Sequence, residues 1–441
     1  MNPPDLSKLF LNNCSATPEI IVYTEFLSNR LVYTLDFLIK NVWQKNYILT
    51  NEISEFQNSD KLKINYSSKY LENAINIYPS QFLFSKGIDK HYQPNFDSPL
   101  STHYSEDIFS VIFYHISRYE EWQKNFSPDI HQRFEAQSGQ FYSQIHSPFL
   151  DEQIFLFKSF IKNQFPSFET NYFYKEIFTF DLDNILAFKG KSAFRSIGAL
   201  LKHLLKGELI LLKERINVLS NKKNDPFEEV YSFIENLSQN TPIIFFVLCR
   251  SNTKFDRAAE LSSKEVTRVI KQLSTFAHIG LHPSYYSMCS QEIIQSEKKL
   301  LENIIDKKII SSRQHYLRTD IATTPKLLLS IGIQYDFTMG FASSAGFRSG
   351  TTFPFYYYDF EKERATNLLM IPFSVMDGAY FNYQKTDITA AIKNIENIRE
   401  KIKSLGGYFI PLFHEITLCP LFNNDAVEWR KVFTTPSLNT I

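Results

Sequence analysis

From about residue 175 onward, short β-type runs alternate with longer helical ones, and this alternation constrains the fold more than any other feature of the chain. Candidate strands lie at 177–181, 242–249, 279–282, near 309–317, 333–336, 368–373 and 408–414. Helical patterns fill most intervals, at 225–237, 262–276, 291–305, 324–331 and 386–405. Ser262, Thr324 and Thr386 are the N-cap candidates, and Gly332 and Gly406 the helix stops. Strict alternation implies a parallel sheet covered by helices. Seven strands in this order predict an α/β fold, an incomplete seven-stranded (β/α) barrel. An open doubly wound sheet fits less well.

Residues 1–170 have a different texture. Helical patterns at 25–43 and 107–122 are separated by polar, Tyr-rich stretches such as 66–78, and 123–150 is loop-like. A chain of 441 residues exceeds one compact core of usual size, so two domains are expected. The division places an N-terminal accessory mixed α/β domain at 1–170 and the barrel at 171–441.

Lys+Arg and Asp+Glu are both 47, so the net charge is zero and no electrostatic footprint for nucleic acid exists. Cys14, Cys249, Cys289 and Cys419 lack metal-type spacing and read as buried hydrophobes of a reduced compartment. The N-terminus lacks a basic region followed by an apolar one, and no stretch of ~18 uncharged apolar residues exists to span a bilayer. A cytoplasmic protein without stable membrane insertion is expected. The Leu- and Lys-rich segment 197–219 has the composition to lie on a membrane surface, but Glu208 and Glu214 favour a helix packed on the sheet.

The run Phe178-Thr179-Phe180-Asp181-Leu182-Asp183 ends an apolar strand in two carboxylates. Residues two apart share a strand face, so Thr179, Asp181 and Asp183 point one way and Phe178, Phe180 and Leu182 the other. Other chemically capable residues also fall at strand ends: His282 at the third strand, His315 and Arg318 at the fourth, Asp336 at the fifth, His414 at the last. At the carboxyl ends of parallel strands such residues converge on one mouth of a barrel.

His278 and His282 flank Ile279-Gly280-Leu281, but Gly280 and Pro283 argue for a strand rather than a helix. Four residues of strand span about 13 Å, too far for two nitrogens on one ion, which lie within about 4 Å of each other. His282 is therefore the ligand candidate and His278 a structural histidine.

Together these segments resemble the NodB-homology polysaccharide deacetylases, over roughly residues 175–420. Thr179-Phe180-Asp181-Leu182-Asp183 resembles the first motif, which makes Asp181 the general base and Asp183 a metal ligand. Gly280-Leu281-His282-Pro283-Ser284 resembles the second, which makes His282 a ligand. Tyr316-Leu317-Arg318 falls where the third motif places the arginine that orients the base, and Tyr335-Asp336 lies near the fourth. Leu412-Phe413-His414 resembles the last motif, whose histidine is the general acid. The family's second motif supplies another histidine where this chain has Tyr286. Either another group closes the site, with His315 the best placed, or metal binding is weakened or absent.

The resemblance implies a divalent cation, zinc by expectation, and a glycan substrate losing N- or O-acetyl groups. Tyr286, Asp336, Phe347 and Arg348 are the candidate substrate contacts, the last two in the small-residue loop 340–350. The competing readings are a catalytically silent glycan-binding or interaction module and a glycosidase built on paired carboxylates.

Overall fold

A computed structural model describes residues 3–10, 17–94, 107–250 and 253–434. Cys14 lies outside the described residues. The chain forms two main sheets that share one apolar core. The first sheet is β1 (Ile20–Thr24), β2 (Tyr47–Thr50), β3 (Leu62–Tyr66) and β4 (Ile75–Ile77), ordered β2-β1-β3-β4 with every pairing parallel.

The second half supplies β5 (Tyr174–Glu176), β6 (Phe178–Leu182), β7 (Ile243–Leu248), β8 (His278–His282), β9 (Ser311–Ser312) and β10 (Tyr335–Asp336). It continues with β11 (Phe355–Asp359), β12 (Arg364–Met370), β13 (Val375–Met376), β14 (Gly407–Phe409) and β15 (Pro411–His414). Nine of these form a sheet ordered β11-β12-β10-β9-β8-β7-β6-β15-β13. All its pairings are parallel except the β11–β12 hairpin. Nine strands replace the expected seven because β11 and the two-residue β13 join the ladder. A separate parallel pair, β14 with β5, continues β15 and β6 at their amino ends.

The expected alternation of faces holds in β6. Phe178 and Phe180 pack outward on Phe433 of the C-terminal helix, with centroids 4.9 and 5.3 Å away. Thr179 and Asp181 turn inward and meet Arg313. In β8 the inward residues are His278, Gly280 and His282. A Cβ on Gly280 would lie 2.6 Å from the Phe246 ring and from Ser311 Oγ, so glycine lets the neighbouring side chains fill the interior.

Helix starts are set by carboxylates and hydroxyls. Asp225 caps Pro226–Leu237, with proline in the first turn, and also accepts the backbone N–H of Ala187, Phe188 and Lys189. Asp387 rather than Thr386 caps Ile388–Leu405, accepting from Thr389 and Ala390. Gly332 and Gly406 end their helices at φ 81° and 88°, a backbone region open to glycine.

The first 170 residues are not a loosely attached unit. Phe10 packs against Tyr335, Phe337 and Tyr408, and buried Arg30 pairs with Glu363 at 2.8 Å. Asp151 accepts from the Thr352 N–H and from the Thr351 and Thr352 hydroxyls. Segment 197–219 departs from its expectation. It forms the helices Ala193–Leu205 and Leu209–Leu219, and no residue of the first is buried. Among the described residues no helix is long and apolar enough to cross a membrane.

Candidate metal centre

The carboxyl ends of β6, β8, β9 and β15 open into a cavity of about 350 Å³ lined by Asp181, Asp183, His282, His315 and His414. Parallel strands in register explain the convergence: Asp181 stands opposite His414 on one side and Phe246 on the other, and Leu248 stands opposite His282.

Asp183, His282 and His315 each offer one ligand atom, all within 4.8 Å of one another. Asp183 Oδ1 lies 3.5 Å from His282 Nε2 and 3.4 Å from His315 Nε2. Two donors on one tetrahedral ion with bonds of about 2.1 Å are about 3.4 Å apart. Both histidines are held through the other nitrogen. His282 Nδ1–H donates to the Arg313 carbonyl at 2.6 Å, and His315 Nδ1 bonds Asp256 Oδ1 at 2.8 Å. These partners turn both Nε2 atoms toward Asp183, as outer carboxylates and carbonyls do around bound metals. Asp183 Oδ1 and His282 Nε2 are buried with no hydrogen-bond partner, which is costly unless something else satisfies them. The donor set fits a divalent cation.

The electrostatics agree. Burial would depress His315, but the Asp183 and Asp256 carboxylates outweigh it and raise the imidazole to about 9. Burial would raise Asp183, yet His315 and His282 hold it well below the usual carboxylate range. A cation arriving here would displace the His315 proton.

Two groups flank the cluster. Asp181 Oδ1 accepts from Arg313 Nη1 at 2.9 Å, and its Oδ2 stands 3.7 Å from His282 Nε2. Arg313 also donates to Thr179 Oγ1 and the Phe337 carbonyl. His414 Nδ1 bonds Asp377 Oδ1 at 2.7 Å, and the His414 backbone N–H donates to Asp377 Oδ2. Burial would lower His414, but Asp377, with Asp183 and Asp181 behind it, lifts the imidazole well above its ordinary value.

Five expected placements need correction. Arg318 does not reach Asp181. Tyr316 and Leu317 adopt φ 60° and 56°, and this left-handed turn carries Arg318 outward to the His131 and Tyr285 carbonyls and over the Tyr285 ring. Arg313, directly after β9, meets Asp181 instead. Tyr286 is exposed and is not among the residues lining the cavity, because the short turn Tyr285–Cys289 stacks Tyr285 on Phe255 and leaves Tyr286 outside. Asp336 is buried behind the site, its Oδ1 accepting from Thr338 N–H and Oγ1, and burial lifts it to about 6. Phe347 is a core residue. Arg348 is buried against Glu121, with bonds of 3.0 and 2.7 Å.

The loop 340–350 ties the two halves together, and of its residues Ala342 lines the cavity. Glu135 accepts from the backbone of Ala342 and Ser343, and the Phe347 N–H donates to the Ile145 carbonyl. Arg348→Ala leaves Glu121 with Arg118 as its remaining partner at 2.9 Å and is expected to cost about 1.5–3 kcal/mol of stability, read from denaturant midpoints. Because Arg348 is not among the residues lining the cavity, metal content of the folded fraction should match wild type. His278, the expected structural histidine, bonds Ser311 Oγ at 2.8 Å, and burial lowers it to about 4.

Sequence reasoning missed Arg313, Asp256, Asp377 and Arg133. Arg133, from the N-terminal half, lines the cavity and donates to the Tyr316 carbonyl and the Tyr383 hydroxyl. The usable signal was Arg313, which falls in the expected strand stretch 309–317 and directly follows β9.

Residues 20–166 match a family of unknown function (DUF7033). No curated protein matches the chain. Solved structures similar to this chain include three that are each 13% identical to it. A Mycobacterium smegmatis protein assigned as a polysaccharide deacetylase has a TM-score of 0.39, with 61% of this chain and 85% of that one covered. A Bordetella bronchiseptica protein assigned as a polysaccharide deacetylase involved in O-antigen biosynthesis has 0.31, covering 59% and 88%. A polysaccharide deacetylase from Bacillus cereus has 0.26, covering 59% and 87%.

Proposed function

We propose that this protein is a metal-dependent hydrolase that removes acetyl groups from N- or O-acetylated glycans. The observation that carries the reading is the Asp183–His282–His315 cluster, whose donors lie within 4.8 Å and include two buried atoms with no partner. Two imidazoles and one carboxylate form a three-ligand set with room for further ligands, and zinc is the ion we assign to it. When bound there, a divalent ion supplies Lewis acidity to an acyl carbonyl and acidity to a coordinated water.

The chain's own residues carry the proton traffic. Asp181 is pinned through Oδ1 by Arg313, which leaves Oδ2 toward the cluster to take a proton from the attacking water. His414 carries its proton at neutral pH and, with Nδ1 held by Asp377, gives the one on Nε2 to the departing nitrogen or oxygen. The acetyl group and the glycan rest on the motif resemblance at Asp181–Asp183, His282 and His414.

Metal analysis of purified protein together with acetate release from chitin-type, peptidoglycan and other N-acetylated oligosaccharides tests the reading. His315→Ala is expected to lower metal stoichiometry, while His278→Ala leaves it unchanged. Protein that holds no divalent ion when offered zinc, cobalt or nickel, and releases no acetate across the panel, belongs to the silent-module reading.

A further inference from the structure

The hairpin Ala193–Leu205 and Leu209–Leu219 is built the wrong way round for a soluble protein. Phe194, Ile197, Leu201, Leu204 and Leu205 fall on one stripe of the first helix, within roughly a 100° arc at 3.6 residues per turn. Such a stripe ordinarily turns to a core. Here it faces solvent, with Phe194 88% and Leu205 87% exposed. Leu209, Ile210, Ile216 and Leu219 of the second helix are exposed as well. Nine large apolar side chains in one hairpin are a patch, not scattered surface residues.

Charge selects what covers it. Residues 189–223 carry nine Lys or Arg against two Glu, in a chain whose 47 basic and 47 acidic residues balance as a whole. Arg195, Lys202 and Lys206 flank the apolar stripe on one side. A second copy meeting this face in a two-fold contact would set like charge against like. An anionic lipid surface takes up both the apolar stripe and the flanking cations. Among the described residues no helix is long and apolar enough to cross a bilayer, so the hairpin lies on one.

We propose that the hairpin 193–219 docks this protein on the surface of a bilayer rich in anionic lipid. The placement has a consequence for the site. Under the hairpin a cavity of about 270 Å³, walled by His203, Arg215, Lys191 and Phe188, extends to Glu415 and Asp183. Arg215 is buried there over the Phe188 ring at 4.6 Å, with Nε and Nη1 lacking hydrogen-bond partners. Docking thus sets the metal centre beside the membrane, where a glycan held at that surface is the substrate. This consequence rests on the hydrolase reading; the docking itself does not.

Flotation of the full chain with vesicles of phosphatidylglycerol and phosphatidylcholine, against phosphatidylcholine alone, is the test. Binding to the anionic vesicles only, released by raising salt, is expected. Phe194→Glu with Leu205→Glu is expected to abolish binding, and because both side chains are exposed, circular dichroism and the thermal midpoint stay unchanged. Lys202→Glu with Lys206→Glu should lower the partition by on the order of tenfold or more. Failure to float with anionic vesicles, or flotation that both double variants leave intact, overturns the proposal. A dimer in light scattering that Phe194→Glu with Leu205→Glu dissolves, in place of vesicle binding, assigns the face to a second copy and also overturns it. Lipid binding is read without substrate, so its failure is distinct from a failure of acetate release.

Discussion

Asp181→Asn leaves metal content at the wild-type level and lowers acetate release by about 10²–10⁴-fold, the loss typical of removing a general base. The amide has the carboxylate's shape, and its oxygen still accepts from Arg313 Nη1, so the buried cation keeps its partner. What changes is the second position, Oδ2, 3.7 Å from His282 Nε2, where an NH₂ group takes no proton. The neighbouring ligand atoms of Asp183, His282 and His315 are untouched, because their orientation comes from the Arg313 carbonyl and Asp256. Rates on N-acetylated oligosaccharides and metal analysis of the same preparation check this. Unchanged activity would refute Asp181 as the base, and joint loss of metal and rate would make it a ligand instead.

The parallel sheet was legible because its cause is local. A buried strand such as β7 is apolar throughout, and the helices between strands carry their own period and caps. The inward turn of Asp181 follows from a period of two and needs no tertiary knowledge. Strand β13 has two residues, Val375 and Met376, too few for any periodicity, and Asp377 was hidden with it. Arg313 and Arg318 both stand in the right stretch of sequence. The first, directly after β9, reaches Asp181, and the left-handed turn at Tyr316 and Leu317 carries the second away.

The remaining misreadings share another cause. Small residues at 340–350 signal close backbone approach, but sequence does not say whether a ligand or another part of the chain approaches. A Cβ on Gly346 would sit 2.6 Å from the Ile145 carbonyl oxygen, so the approaching group is the chain itself. Arg348 likewise signalled an anion, and the anion is Glu121. The hairpin at 193–219 inverts the same problem: its apolar stripe was readable, while the side it faces depends on what the rest of the fold leaves uncovered. Asp256, in the loop after β7, became visible as a site residue only through its bond to His315.

Asp377→Asn is expected to lower acetate release by on the order of 10²–10⁴-fold and to move the alkaline limb of the pH–rate profile to lower pH. In the wild type, burial alone would depress His414, and the Asp377 carboxylate reverses this and holds the imidazolium well above its ordinary range. The acid form therefore persists through neutral pH. In the variant, the amide oxygen keeps the bond from the His414 backbone N–H, which turns the NH₂ group toward Nδ1 and opposes protonation there. A histidine whose folded-state pKa is raised contributes stability that is fully present below its unfolded value and is lost as pH rises through the folded one. Wild type should therefore lose stability on the alkaline side, and Asp377→Asn should lose less there. Denaturant midpoints across pH read this without any substrate, while metal analysis reports whether the cluster is intact. Superimposable alkaline limbs in the two proteins would remove His414 from the role of proton donor. A shifted limb with unchanged metal content assigns Asp377 as the residue that keeps the acid charged.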